Sequence, residues 1–343
     1  MKKLILLSLC LSLYFIGQAQ VSKTVNVTTA GNLSAMLTAT EKTTVTNLTV
    51  TGNIDAGDVK CLRDELTVLS SLNIENVSIK AYNGLGGTIL ESTSYPANEM
   101  PAYSFYNSDS KPSVSKVSLT SFIFPTTITS IGDNAFFQCT GLTGILSIPS
   151  SVNNIGSSVY QDCTGISGKL VLPNSLTIIR NCTFGWCSGL TELVIGSKVN
   201  AIESEAFTDC HGIKKVSIAS VVPPTIAANS FGFDKSTCAL YVPIGSRTAY
   251  NNDLYWGDFG QILEYNLNTD IRNNDENRVK IHSSNSSIIV EGTYQNEIIS
   301  IYNTIGKLIR TVKSVGQKIS IPLQKGNIYF VKTNQEIQKA LIF

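Results

Sequence analysis

The chain has 343 residues, with 26 Lys and Arg against 25 Asp and Glu, a formal charge of +1. That near balance leaves no electrostatic footprint for nucleic acid or for an anionic membrane surface. The length allows two or three modules and a sizeable core.

The chain opens on a short basic start, "MKK", and a 13-residue apolar run, "LILLSLCLSLYFI", too short to span a bilayer comfortably. The small residues of "GQA" follow, so the opening reads as a secretory signal over residues 1–19, cut between Ala19 and Gln20. The apolar run continues past Cys10, which argues against a lipoprotein anchor. Cleavage removes Lys2 and Lys3 and takes the formal charge from +1 to −1. No other apolar run approaches a spanning helix, so a membrane is expected only during export. Seven of the eight cysteines remain, an odd number in an oxidising compartment, so they cannot all pair within one chain.

Further along, "DAGD", residues 55–58, reads as helix N-cap chemistry before "VKCLRDEL" rather than a calcium loop, which needs more oxygen ligands. Leu48 and Leu72 stand 24 residues apart, and the same beat then governs the middle of the chain. Strands start at Phe122, Leu146, Leu170, Leu193, Val216 and Leu240, in steps of 24, 24, 23, 23 and 24. Aliphatic pairs follow at Ile128 and Ile131, Val152 and Ile155, Leu176 and Ile179, and Val199 and Ile202. Aromatics at Phe136, Tyr160, Phe184, Phe207 and Phe231 keep the period, as does Cys-x-Gly-aliphatic at Cys139, Cys163, Cys187 and Cys210. A fixed period in this range predicts a stacked β-rich solenoid, extending back to about residue 45, in which each unit hides its apolar face against its neighbours. The one-residue wobble falls beside Gly144 and Gly168, in a turn where glycine adapts most easily. Residues 81–100 interrupt the beat as an inserted loop.

The shorter units read Leu-x-x-Leu-x-Ile, the strand pattern of leucine-rich repeats. "FPTTITSIGDNAFFQCTGLTG" and "LPNSLTIIRNCTFGWCSGLTELVIG" resemble the BspA-like leucine-rich repeats of bacterial surface proteins, especially of Bacteroidetes. "LYVPIGSRTAYNNDLYWGDFGQILE", residues 240–264, resembles the closing unit of such arrays, and "NLTVTGNIDAGDVKCLRDEL" and "MPAYSFYN" the irregular units that open them. The solenoid is thus expected over residues 20–265, with regular repeats over 117–265.

Residues 266–278 are an Asn/Asp-rich linker. Seven short β-type runs follow over residues 279–343, "RVKIHS", "SSIIVEG", "EIISIYN", "KLIRTV", "KISIPL", "NIYFVKT" and "QKALIF", which predict a small C-terminal β-sandwich. This segment is similar to the C-terminal sorting domain of type IX secretion cargo, with "YN-x-x-G" at 302–306, a "KG-(x)-IY-x-V" motif from Lys325 to Val331 and the late Lys339. The resemblance implies the type IX secretion machinery as a partner, and a secreted or outer-surface location.

The recurrent cysteines lie one per repeat and form a row, whereas a zinc site needs four ligands that converge. A nucleophile needs a histidine, and only His211 and His282 exist; His211 adjoins Cys210 but has no counterpart in the other phrases. Stacked units bring such cysteines near bonding range, yet ladder side chains run parallel, which leaves Cys139, Cys163, Cys187 and Cys210 as a reduced, buried structural ladder. A hydroxyl in that slot is expected to lack a partner. Cys182 lies five residues before Cys187, awkward for a bridge if that turn is helical, and Cys61 and Cys238 have no visible mate.

Asp133, Asp162, Glu203 and Glu205 fall in variable turns without a carboxylate pair framed by aromatics. No phosphate loop, metalloprotease helix or nucleophile elbow appears, so neither catalysis nor a cofactor is expected. What remains is surface. The residue between the two core positions of each strand faces outward by the two-residue period, which nominates Ile123, Ser147, Val171, Val194, Ser217 and Tyr241. BspA-like relatives imply a non-catalytic, adhesin-like role in binding an extracellular protein or glycan; the alternatives are a passive envelope scaffold and, behind it, a secreted hydrolase. Lysine at Val171 and Val194 together is expected to leave stability nearly unchanged, with residues 81–100 as the next candidate surface.

Overall fold

The structure, a computed structural model, describes residues 20–92, 94–265, 280–284, 287–291, 298–303, 307–313, 318–324, 328–332 and 337–341. The expected signal over 1–19, with Ala19, and the linker over 266–278 lie outside the described residues, and Gln20 is the first described.

The repeat period becomes parallel pairing. Ser22–Val27, Asn47–Ile54, Ser71–Asn73 and Ser121–Ile123 line up in one parallel ladder, with Leu48 opposite Leu72 and Leu72 opposite Phe122. Ser167–Val171, Gly189–Ile195, Lys215–Ile218, Ala239–Pro243 and Gln261–Tyr265 form a second, which places Leu170, Leu193, Val216, Leu240 and Ile262 side by side and buried. Two-residue strands on another side of each coil join Met100, Ile131 and Ile155 in one row, and Ile179, Ile202 and Ile226 in another. Parallel pairing begins at Ser22, ahead of residue 45, where the 24-residue beat is first readable in the sequence.

The wobble is a bulge. Gly144 and Gly168 have φ of +80° and +79°, and the register shifts between Gly168 and Lys169. Positive φ is open to glycine without steric cost.

The expected strand at Leu146 does not form. Residues 145–148 make no backbone hydrogen bond to the strands on either side, and the contact nearest a ladder is a single bridge between Gly144 and Ile166. Two local causes coincide. The extra residue after Gly144 displaces the segment, and Phe122 and Phe124, where other units place aliphatic side chains, pack edge-to-face with each other and with the Phe136 ring, 4.7 to 5.7 Å between centroids.

The aromatic beat is a continuous stack. Phe136, Tyr160, Phe184, Phe207 and Phe231 lie 5.3 to 5.6 Å apart centroid to centroid and within 10° of parallel. Each ring is held by a tight turn that bonds forward into the next unit. Phe136 N–H donates to Val159 O, Tyr160 to Thr183 and Phe184 to Ala206, at 2.8 to 3.0 Å. The turn needs left-handed backbone two residues before and after the ring: Asn134 and Gln138, Ser158 and Asp162, Cys182 and Trp186, Glu205 and Asp209 all have φ of 52° to 60°. Cys182 thus occupies a turn position, not a ladder position.

The glycine of Cys-x-Gly answers to contact. A Cβ added to Gly141, Gly165, Gly189 or Gly212 would run into the carbonyl oxygen of Val117, Leu142, Ile166 or Leu190, respectively, in the preceding unit.

Both ends of the stack are closed. Trp256 meets Phe231 edge-on at 5.5 Å, donates its indole N–H to Pro224 O at 2.8 Å and is buried, while Tyr250 donates to Ser220 O. At the N-terminal end, Asp55 caps helix Ala56–Asp64 in a capping box with Asp58, which also accepts the N–H groups of Gly31 and Leu33. The "DAGD" stretch is therefore cap chemistry.

Each of the seven C-terminal runs carries a strand. Lys280–Ser284, Ser287–Glu291 and Lys318–Pro322 make one antiparallel sheet, and Leu308–Lys313, Ile298–Tyr302, Ile328–Lys332 and Ile337–Leu341 another. Ile288, Val290, Ile299, Ile301, Ile321, Tyr329 and Val331 gather in one cluster.

Gly189→Ala should destabilise the protein by about 1 to 3 kcal/mol, because a rigid carbonyl blocks the methyl. Gly144→Ala, where a Cβ meets nothing and only the positive φ is strained, should cost about 1 kcal/mol. Denaturant midpoints of the two variants check the order.

Candidate functional site

The outward row nominated from the sequence is not uniform. Ile123 is 45% exposed and Ser147 is exposed, Val171 and Tyr241 are half-buried, but Val194 is 2% and Ser217 4% exposed. Val194 and Ser217 are thus corrected from surface to buried positions. The cause lies in the sheet. Each sits on a central strand flanked on both sides, Val194 between Val171 and Ser217, and Ser217 between Val194 and Tyr241. On the same face, one alternation away, Glu192 bridges Lys169 and Lys215 at 3.2 Å each, and the Lys215 ammonium lies 4.9 Å from the Tyr241 ring centroid. Long side chains lying across a sheet cover the short ones beside them. Lysine at Val194 would therefore place a charge in a buried slot, and the expectation of unchanged stability is withdrawn.

All seven described cysteines are buried free thiols. The four recurrent ones point back one unit: Cys163 Sγ lies 3.1 Å from Phe136 O, Cys187 from Tyr160 O and Cys210 from Phe184 O, with Cys139 3.9 Å from Phe105 O. The slot thus offers an acceptor, and the expectation that a hydroxyl would lack a partner there is corrected. Burial pushes the thiols of Cys61, Cys139 and Cys210 up to about 12 and those of Cys182 and Cys238 to about 11, and it raises those of Cys163 and Cys187 well above the ordinary thiol value. A thiol that keeps its proton is neither a nucleophile nor a metal ligand.

The carboxylates hold the stack instead of converging. Asp133 accepts from Ser157 N–H at 2.7 Å and Glu203 from Asn181 N–H at 2.9 Å, while Asp162 and Glu205 face Gln138 and Cys182 at 3.4 Å. His211 is exposed, 3.0 Å from Asp209. Among the described residues no three His, Cys, Asp or Glu side chains gather as a metal site, and no helix is long and apolar enough to cross a membrane.

Sequence reasoning passed over two buried cations at the end of helix Ala56–Asp64, one of which reaches the inserted loop. Arg63 is buried; its Nη1 donates to the carbonyls of Thr88, Tyr103 and Tyr106 at 2.7 to 3.3 Å, and its other nitrogens pair with Asp64. Lys116 is buried and donates to the carbonyls of Arg63 and Leu66, capping the end of helix Ala56–Asp64. Burial brings the Lys116 ammonium down to about 8, opposed by Asp64. These side chains line a cleft of about 550 Å³ with Asp64, Asn107 and Ser115. Arg63 follows Cys61 in an ordinary helix and Lys116 precedes an ordinary strand, so no local pattern marked them.

The thiols fix the sign of the alkaline response. Their folded values lie above the ordinary thiol value of 9, so the stability they contribute is whole below pH 9 and is lost as pH rises through 9 toward 12. Each thiol adds a slope of about 1.4 kcal/mol per pH unit in that window. Lys116 acts in the opposite sense between about 8 and its ordinary 10.5, as one group against seven. Denaturant titrations should therefore show stability falling steeply above pH 9, and iodoacetamide should label none of the four ladder thiols until the protein is unfolded, without reductant.

No curated protein matches the chain. Among solved structures, a leucine-rich repeat protein of T. pallidum is 16% identical, with 58% of this chain and 73% of that one covered and a TM-score of 0.29. The pneumococcal vaccine antigen PcpA is 14% identical, with 66% and 63% covered and a TM-score of 0.34. A leucine-rich cell surface protein of Faecalibacterium prausnitzii is 11% identical, with 70% and 82% covered and a TM-score of 0.24. Residues 98–235, the stretch that contains the aromatic stack and the thiol ladder, match the BspA type leucine-rich repeat region in six copies.

Proposed function

We propose that the protein is an exported, non-catalytic surface protein that binds an extracellular protein or glycan through the strand face of its repeats. The observation that carries this reading is how the repeat residues are used. Recurrent aromatic, thiol and aliphatic positions are buried between units, and the turn carboxylates bond neighbouring units, which leaves an extended face for contact. Such a face offers area rather than an enclosing pocket, which suits a macromolecule. The match of residues 98–235 to BspA-type repeats supports an interaction role. The basic and apolar start of the chain supports export, and the motifs after residue 279 support a β-sandwich that serves as a type IX sorting domain.

The test leaves the buried Val194 and Ser217 alone. Val171→Lys combined with Tyr241→Ala should abolish capture of a ligand selected from arrays of extracellular proteins and glycans, with circular dichroism retained. A wild-type protein that captures nothing from such arrays would favour the passive scaffold, and a hydrolytic activity that co-purifies through every step would overturn both. Deleting residues 279–343 should leave the repeats folded, since each unit contacts only its neighbours, and trap them in the periplasm. Unchanged surface display of the truncated chain in a host with type IX secretion would contradict the sorting role.

A further inference from the structure

The cleft of about 550 Å³ lies between the end of helix Ala56–Asp64 and the hairpin made by Tyr106–Asn107 and Val114–Ser115. Its volume falls within the range of roughly 300 to 1,000 Å³ usual for small-ligand sites. The two cations in its lining are buried and largely spent: Arg63 on Asp64 and three carbonyls, Lys116 on the carbonyls of Arg63 and Leu66. The accessible lining has another character. Asp64 is exposed and held in place by neighbours, with Oδ1 accepting from Arg63 Nε and Asn107 Nδ2 and Oδ2 accepting from Arg63 Nη2. A carboxylate has about four acceptor sites, so Oδ2 keeps one. Thr67 is exposed, and its hydroxyl has no partner among the described residues. Ser115 Oγ, enclosed in the wall, has none either, so the chain alone does not satisfy this cleft. Val114 and Val117 are 55% and 58% exposed beside these polar groups.

From this arrangement we infer that the cleft binds a neutral saccharide, one or two sugar units of an extracellular glycan. The inference goes beyond the strand-face reading and leaves that face to a protein partner. A sugar offers what the cleft lacks. Its hydroxyls donate to the fixed Asp64 carboxylate in a charge-assisted bond and pair with Thr67, while its C–H face covers Val114 and Val117. An anionic ligand would meet the Asp64 carboxylate, and a cationic one the buried charges of Arg63 and Lys116. A nucleobase would find no aromatic ring to stack on. An acyl chain would strip water from Asp64 and Thr67 without replacing its hydrogen bonds.

The experiment probes the full-length mature protein with an array of neutral, sialylated and sulfated oligosaccharides, followed by calorimetric titration of the best binder's terminal disaccharide. Neutral members should bind. Val117→Arg and Val114→Arg, at exposed positions across the mouth, should each weaken the disaccharide by roughly tenfold or more, with the melting temperature unchanged. Thr67→Val keeps the shape and removes the hydroxyl, and should cost about fivefold, the loss of one neutral hydrogen bond. Binding should survive Val171→Lys with Tyr241→Ala. Capture of no neutral member, preference for sialylated or sulfated ones, or undiminished binding by Val117→Arg would each overturn the inference. Loss of saccharide binding in the folded Val171→Lys, Tyr241→Ala protein would move the sugar to the strand face and also overturn it. If instead a protein ligand ignores that double change while saccharide binding follows Val117, the strand-face reading falls and the cleft stands.

Discussion

Everything in this solenoid depends on a reciprocal lock between consecutive units. The turn around each aromatic sends its backbone N–H groups forward to the next unit, and the thiol three residues later reaches back to the carbonyl of the preceding ring residue. A single 23- or 24-residue coil cannot bury its own apolar side, and unpaired main-chain groups in the interior carry a cost comparable to a lost hydrogen bond. The lock resolves both constraints with one arrangement: rings stack on rings, and the polar groups around them are satisfied across the joint. Glycine in Cys-x-Gly follows from the same closeness, since the preceding unit's carbonyl occupies the place a Cβ would take. The non-glycine residues in left-handed backbone follow too, because the turn geometry is fixed by its bonds to the next unit.

The spacing alone made much of this legible. Apart from the strand at Leu146, the strand starts, the aliphatic pairs, the ring positions and the cysteine slot lie where the period puts them, because a solenoid turns sequence distance directly into position along one axis. The bulge could be placed at Gly144 and Gly168 from a one-residue miscount. Three things were not legible. The break at residues 145–148 coincides with the bulk of Phe122 and Phe124 against the Phe136 ring together with the bulge, a packing conflict that a period cannot express. The burial of Val194 and Ser217 depends on long neighbours one alternation away, whereas the two-residue rule sees only in or out. The first strand, Ser22–Val27, pairs in full register with Asn47–Ile54 but carries few of the large residues that made later units recognisable.

The division of labour explains where function can reside. Residues that recur are committed to the interior, so any specificity falls to positions that vary from unit to unit: the charged row of Lys169, Glu192 and Lys215, the half-buried Tyr241, and the exposed Ile145. The row is internally neutralised, two lysines sharing one carboxylate across three strands, which limits its use as a charged attractor. The segment at residues 145–148 differs in kind, since it makes no backbone hydrogen bond to the strands on either side. Arg63 and Lys116 show the contrasting case, in which buried cations spend their donors on carbonyls: Arg63 ties the inserted loop to the helix through Thr88, and Lys116 caps the helix end.

Hydrogen exchange resolved by residue in the full-length protein tests this account most directly. Amides of Phe136, Tyr160, Phe184 and Phe207 should be protected together, near the level of global unfolding, because each closes a joint between units. Those of Ile145, Leu146 and Ser147 should exchange almost as freely as an unstructured chain, although strands on both sides are protected. Protection of residues 145–147 equal to that of Ser167–Val171 would mean that the strand face is continuous through the segment after Gly144 and would contradict this account.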